Sequence, residues 1–385
     1  MTHKFVTEGR KLVTLRKISN VFPIEGADAI EAAQVDGWTV VTKKGEFKIG
    51  DDCWFFEIDS LIPLDNPVFA FLNKGKAYEV EGKQYARLRT IKLRGQISQG
   101  LALPFVFLEN IFYDTMQDYV KMKEDIETFY DFGFENYLGV KKYEPTDTTT
   151  VQHTDAAGTF PCFMPKTDEE RLQNIYDKYA ESYKDIEFEA SMKLEGSSIS
   201  IAYIHNENYL MEKLNNIEYP YNYQDGQVIV CSRNMALKYN PDSAFWKGAE
   251  SLDMPAKIKV YCEDSERQLD FQCELMGPKI QGNIEKFEDY RVYVYRIWDI
   301  DKQCDISPYE TDVICQRLGF LQVPRLFVGK VFNMFPTLQD FLVASEIPSI
   351  NAKQAEGLVY KSIENINGKQ IHFKVINNKY LLKQD

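Results

Sequence analysis

The sequence predicts an α+β fold in two parts, a small all-β barrel at the N-terminus and a larger mixed α/β domain built mainly on antiparallel sheet. Three observations carry this expectation. Roughly the first hundred residues break into short β-branched and aromatic runs punctuated by Gly and Pro. A polar stretch follows, "EPTDTTTVQHTDAAGT", with almost nothing to bury. Beyond it, a helical segment opens a long alternation of strand-like runs and connections. The 385 residues exceed a usual single core, and 44% apolar residues suffice to fill two.

In the first part "KLVTLRKISNV", "DGWTVVTKK", "DCWFFEID" and "YARLRTIKLRG" read as strands, bounded by Gly26, Gly37, Gly45, Gly50, Pro63 and Gly82. A barrel of the OB type fits such strands, and that fold commonly holds nucleic acid across its strands and loops. From Leu108 to Leu138 apolar and acidic residues mix at roughly helical spacing. Thr167 and Glu170 form a T-x-x-E capping box ahead of Leu172, Ile175, Tyr176 and Tyr179, which predicts a helix start. The expected division is a barrel over 1–106, a helical and polar linker over 107–157, and the mixed domain over 158–385.

Composition narrows the function. No stretch approaches the roughly 20 apolar residues of a spanning helix, and the first ten residues lack the pattern of a signal peptide. A soluble, cytoplasmic protein without a membrane partner is expected. The seven cysteines form no CxxC pair and no ligand spacing with the four histidines, so free packed thiols are expected. A net charge of −13 argues against a surface coated by nucleic acid, since phosphate binding needs Lys and Arg facing the backbone. Any such contact must be local. Lys74, Lys76, Lys83, Arg87, Arg89, Lys92 and Arg94, interleaved with Tyr78 and Tyr85, form the one basic stretch that stands out.

The sharpest chemical feature is "EASMKLEGSSISIAYI", which sets Lys193 between a strand-like lead and a Gly-Ser-Ser turn. A surface lysine is protonated and a poor nucleophile. Held at a strand end beside a metal and other cations, it can lose its proton and attack phosphorus. Downstream come "CSRN", "FQCELMGPKIQGN", "YVYRIWDI", "AEGLVYKS" and "HFKVINNKYLL", in that order.

This ordered set resembles the motif series of the covalent nucleotidyltransferases, the superfamily of ATP-dependent ligases and messenger-RNA capping enzymes. The resemblance implies that Lys193 takes adenylate from ATP and that Glu195 stands where the family usually has Asp. It implies that Arg233 holds phosphate or the RNA end, and that Glu274 contacts ribose and metal-bound water. Trp298 occupies the place of a ring against adenine, Glu356 that of a metal-supporting carboxylate, and Lys374 that of the lysine neutralising the α-phosphate. Glu195, Glu274 and Glu356 form the implied site for Mg2+ or Mn2+, a hard ion suited to carboxylate oxygen. Where the family often has K-x-K, the second position here is Ile376, with Lys379 as the possible substitute.

Only eleven residues follow Lys374, which leaves no room for the trailing OB domain of DNA ligases and capping enzymes. The order resembles RNA ligases with an N-terminal OB-like domain and a C-terminal nucleotidyltransferase domain. It extends to "FPCFMPKTDEERLQN", where Lys166 and Arg171 are candidates for triphosphate or RNA contact, beside Arg87, Arg89, Lys92 and Arg94 of the barrel. The resemblance implies a monomer that joins 3′-OH and 5′-phosphate RNA ends at nicks in duplexes. A DNA-end ligase or adenylyltransferase, and an inactive nucleic-acid-binding protein, are the alternatives.

Overall fold

The computed structural model describes residues 10–108, 123–130, 132–143, 155–205, 225–366 and 369–383. The chain forms two compact units, one of residues 1–144 with 170–178 and 381–385, the other of 145–169 with 179–380.

In the first unit an antiparallel sheet runs in the order Leu101–Pro104, Asp52–Phe56, Val13–Pro23, Ile30–Val35, Trp38–Lys43. A second sheet holds Lys141–Lys142, Ser60–Pro63, Lys83–Arg87 and Ala77–Val80. A hairpin, Thr90–Leu93 with Gln96–Gln99, turns on Arg94 and Gly95, both at positive φ, as a tight primed turn demands. The run "YARLRTIKLRG" is therefore two strands in different sheets. Trp54 lies at the centre of the core, edge-on to Phe134 at 5.0 Å, with its indole N–H donating to the Phe105 carbonyl.

Part of the stretch expected as linker is core of this unit. Leu108, Phe134, Leu138 and Val140 pack with Trp54 and Phe56 because their apolar side chains cover the open end of the barrel sheet. The described part of the 108–138 segment includes the short helical turns Ile126–Phe129 and Glu135–Leu138. Residues 109–122 and 144–154 of this expectation lie outside the described residues.

The second unit is built on two antiparallel sheets, apart from one short parallel pairing. The larger runs Ala156–Thr159, Met235–Leu237, Gly226–Ser232, Ser197–His205, Leu269–Met276, Arg291–Asp299, Cys304–Asp305. The smaller runs Arg325–Gly329, Phe188–Lys193, Gly357–Ile366, Lys369–Ile376. Alternate residues of the large sheet, among them Ile199, Ile201, Phe271, Cys273 and Leu275, enter a core with Trp246, Ile258 and Cys262 of the helices Ala244–Ser251 and Met254–Asp264. The intervening residues, Ser198, Ser200, Gln272 and Glu274, take the opposite face.

The helix Leu172–Tyr183 starts later than the capping box predicts. The Thr167 hydroxyl bonds the Tyr295 hydroxyl at 3.0 Å, and Glu170 accepts from the Arg171 N–H and the Asn174 amide. Tertiary partners thus outcompete the local cap. The seven cysteines are free, five of them buried, and no helix among the described residues is long and apolar enough to cross a membrane.

Candidate active site

Lys193 ends the strand Phe188–Lys193 of the smaller sheet, and four residues later Ser197 begins a strand of the larger one. The motif K-L-E-G is the crossing between the sheets. Gly196 is required there by close approach, because a Cβ would stand 2.4 Å from the Leu275 carbonyl oxygen and 2.8 Å from Glu274 Cγ. Register brings the other motifs in. Lys193 pairs with Gly357, next to Glu356, while Ser198 pairs with Glu274. Lys374 pairs with Val359, two residues along the same strand.

Lys193 Nζ donates to Glu356 Oε2 at 2.8 Å. Burial acts to lower the lysine's pKa, but Glu356, Glu274 and Glu169 outweigh it and hold the ammonium above its ordinary value. Burial pushes Glu274 up to about 8, with Lys193 opposing and Glu356 adding to the rise. Glu195 is raised by burial and by Glu356, against hydrogen bonds from the Gly282 backbone and Tyr380. Three carboxylates thus crowd one ammonium. Beside them Asp168 bridges Lys374 Nζ at 3.1 Å and Arg233 at 3.5 Å. Asp168 and Glu169, neither singled out by sequence, were carried unmarked in "KTDEE".

A model of the RNA ligase family matches residues 186–376, and an OB-fold domain model matches 12–105. No curated protein matches. Among solved structures, a mutant Naegleria gruberi RNA ligase without ligand is 34% identical, with a TM-score of 0.80 over 98% of this chain and 99% of that one. A mutant of the same ligase with ATP and Mn, and the ligase with PPi, each align at 34% identity and TM-score 0.79, covering 97% of this chain and 99% of theirs. This chain belongs to the RNA ligase family.

The ligase brings Lys193, Glu195, Glu274, Glu356, Lys374 and Arg233 into one neighbourhood, but not every expected residue joins them. Trp298 pairs with Asp270, four residues up the strand from Glu274, which at about 3.3 Å per residue sets it some 13 Å away along the sheet. Its ring lies under the Arg296 guanidinium, 5.0 Å from the centroid, and packs on the helical core. An aromatic ring on the face of Glu274 is Tyr295. A register shift between Gln272 and Cys273 lets Tyr295 reach Thr167 and Ser198, where it also feels Glu274. Tyr295 borders a cavity of about 330 Å3 lined by Glu189, Ser191, Arg296, Arg325 and Lys361. A bulge of this kind leaves no mark in sequence, whereas Trp298 stands at the motif position the resemblance implies.

The six expected basic contacts divide sharply. Arg87 and Arg171 are buried and both pair with Asp59, at 2.8 and 3.3 Å. Arg87 stacks on Tyr143 at 3.6 Å, and Arg171 lies over Trp38. Neither guanidinium is free for RNA, because an arginine this deep needs its carboxylate. Arg89, Lys92 and Arg94 are exposed on the hairpin and its approach. Lys166 is exposed too, 3.4 Å from Asn234 Oδ1. Ile376 is buried, and Lys379 pairs with Glu346 at 2.5 Å.

Among the described residues no three acidic, Cys or His side chains form a ready cage for a metal ion. The implied set of Glu195, Glu274 and Glu356 is gathered around Lys193 instead. These residues nonetheless fit a divalent cation, for all three are oxygen donors and Glu195 Oε2 is buried without a partner.

Proposed function

We propose that this ligase uses ATP to join a 3′-hydroxyl to a 5′-phosphate at nicks in RNA duplexes, through a lysyl-adenylate on Lys193. The observation that carries the reading is the convergence of three carboxylates on the Lys193 ammonium, with Lys374 and Arg233 held beside it by Asp168. The relatives crystallised with ATP and Mn, and with PPi, support ATP as the adenylate donor.

In the first step Lys193 Nζ attacks the α-phosphorus. The P–N bond forms as the bond to pyrophosphate breaks, and Lys374 and Arg233, whose charge Asp168 balances in the free protein, turn to the phosphate. A 5′-phosphate oxygen next displaces the lysine, and a 3′-hydroxyl then displaces AMP. Glu195, Glu274 and Glu356 would hold Mg2+ or Mn2+, which supplies positive charge to neutralise the phosphates and to oppose the lysine's hold on its proton. Tyr295, which lines that cavity and bonds Thr167 and Ser198 on the face of Glu274, is the ring we assign to adenine.

The test is intact mass after incubation with ATP and either metal, followed by sealing of nicked duplexes. A gain of about 329 Da, absent in Lys193→Ala, supports the covalent step. Sealing of a nick with a 3′-ribonucleotide end but not of an all-DNA nick supports the RNA reading. No gain with either metal overturns it in favour of an inactive binding protein.

A further inference from the structure

We infer that Glu285 is a positioning residue that sets Glu195 and Glu356 against each other across Lys193. Glu285 lies on the connection 277–287 and is 1% exposed. Its hydrogen bonds go neither to the lysine nor to any group proposed to meet ATP. Its Oε2 accepts from the Asn351 N–H at 2.5 Å and the Ala352 N–H at 3.0 Å, its Oε1 bonds the Ser349 hydroxyl, and its backbone carbonyl accepts from the Asn351 side chain at 3.1 Å. Every one of these donors belongs to the connection that leads into Glu356.

The other end of the staple leads to Glu195. Gly282, three residues before Glu285, gives its N–H to the Glu195 carboxylate, and a Cβ on it would stand 3.2 Å from Glu195 Oε1. Lys279, Gln281, Asn283 and Lys286 all have positive φ, a costly backbone that persists only where the surroundings fix it. Asn283 closes the turn by exchanging two hydrogen bonds with Phe287. On the far side Ala355 N–H bonds the Ile347 carbonyl, and Ser349 lies 3.6 Å from the sulfur of Met192, the residue before Lys193. One buried carboxylate therefore ties the loop that orients Glu195 to the loop that ends in Glu356. A second layer of this kind is what holds reacting groups to within a fraction of an ångström.

The experiment uses the whole chain as Glu285→Ala and Glu285→Gln, with Ile258→Ala as a core variant of lowered stability remote from Lys193. Amide exchange is read first. Glu285→Ala should speed exchange at Gly282 and over 349–356 together, and faster exchange confined to 349–352 would overturn the inference. Single-turnover adenylate capture by Lys193 is read second, and it rests on the function proposed above. The rate constant should fall about ten- to a hundred-fold in Glu285→Ala, with half-saturating ATP within about two-fold of wild type, and recover largely in Glu285→Gln. An unchanged rate, or an equal loss in Ile258→Ala at matched melting temperature, would also overturn it. If wild type captures no adenylate the proposed function fails, while the exchange measurement still decides the coupling.

Discussion

Asp59 in the barrel and Asp168 in the catalytic unit each bridge two cations, yet the two clusters serve opposite ends. Asp59 holds Arg87 and Arg171, whose side chains are only 8% and 5% exposed. Asp168 holds Lys374 and Arg233, and Arg233 is 44% exposed. Burial acts to raise the Asp59 pKa, but Arg171, Arg10 and Arg87 outweigh it and hold the carboxyl below its ordinary range. Around Lys193 the balance reverses, and Glu274 and Glu195 are pushed up. A saturated ion cluster is structural, whereas one with surplus like charge is poised to take a ligand of the missing sign.

The largest effect that would break this contrast is at Lys193 and Lys374. Lys193→Ala should abolish the adenylate adduct in intact mass. Lys374→Ala should keep the fold and lower the capture rate about a hundred- to a thousand-fold, the range for losing one group that stabilises developing charge. Asp59→Ala should do the reverse. It strands two buried guanidinium groups and should cost about 3–5 kcal/mol in denaturant unfolding, while folded molecules capture adenylate at the wild-type rate. A normal melting curve for Asp59→Ala would make Arg87 and Arg171 candidates for RNA after all.

The two clusters were not equally legible in sequence. Lys193, Glu274, Glu356 and Lys374 were readable because each lies at or near a strand end, where a short motif fixes both the residue and its direction. Glu195 belongs to the same short motif as Lys193, at the crossing between sheets where Gly196 has no space for a Cβ. The pairing of Arg87 and Arg171 with Asp59 was not legible, because 28 and 112 residues separate them from it and no local pattern marks the contact. Trp298 is picked out by its place in the motif series, and the register shift that turns Tyr295 toward Ser198 and Thr167 has no sequence signature. The Asp59 pairing and the shifted strand register are both long-range features, which propensity and spacing do not encode.

A smaller effect sharpens the contrast through pH. With the metal removed by chelator, Glu274 has its folded pKa raised to about 8 by burial. A raised carboxyl contributes stability that is present below its unfolded pKa and is lost as pH rises through the folded value. Asp59, being lowered, loses its contribution in the opposite direction, as pH falls below its ordinary range. Glu274→Gln should therefore raise the melting temperature more at pH 8 than at pH 5, by about 5 °C, and Asp59→Asn should flatten the acid limb. Equal gains for Glu274→Gln at both pH values would remove Glu274 from the crowded set.

The smallest expected effect lies on the barrel hairpin, where the exposed cations contrast with their buried neighbours. Lys92 on the hairpin strand and Arg94 on its turn are exposed and have no acidic partner among the described residues, so phosphate is the charge they can meet. Replacing each by Ala should weaken binding of nicked duplexes evenly across sequences and reduce the slope of log affinity against log salt by about 1 per residue. Adenylate capture, which needs no RNA, should not move. Arg87→Ala, assayed where it remains folded, should leave the salt slope at the wild-type value, because a guanidinium already committed to Asp59 releases no counterion from RNA. An equal drop in slope for Arg87→Ala would mean that RNA draws Arg87 away from Asp59, and burial in the free protein would then no longer separate the structural cations from the binding ones.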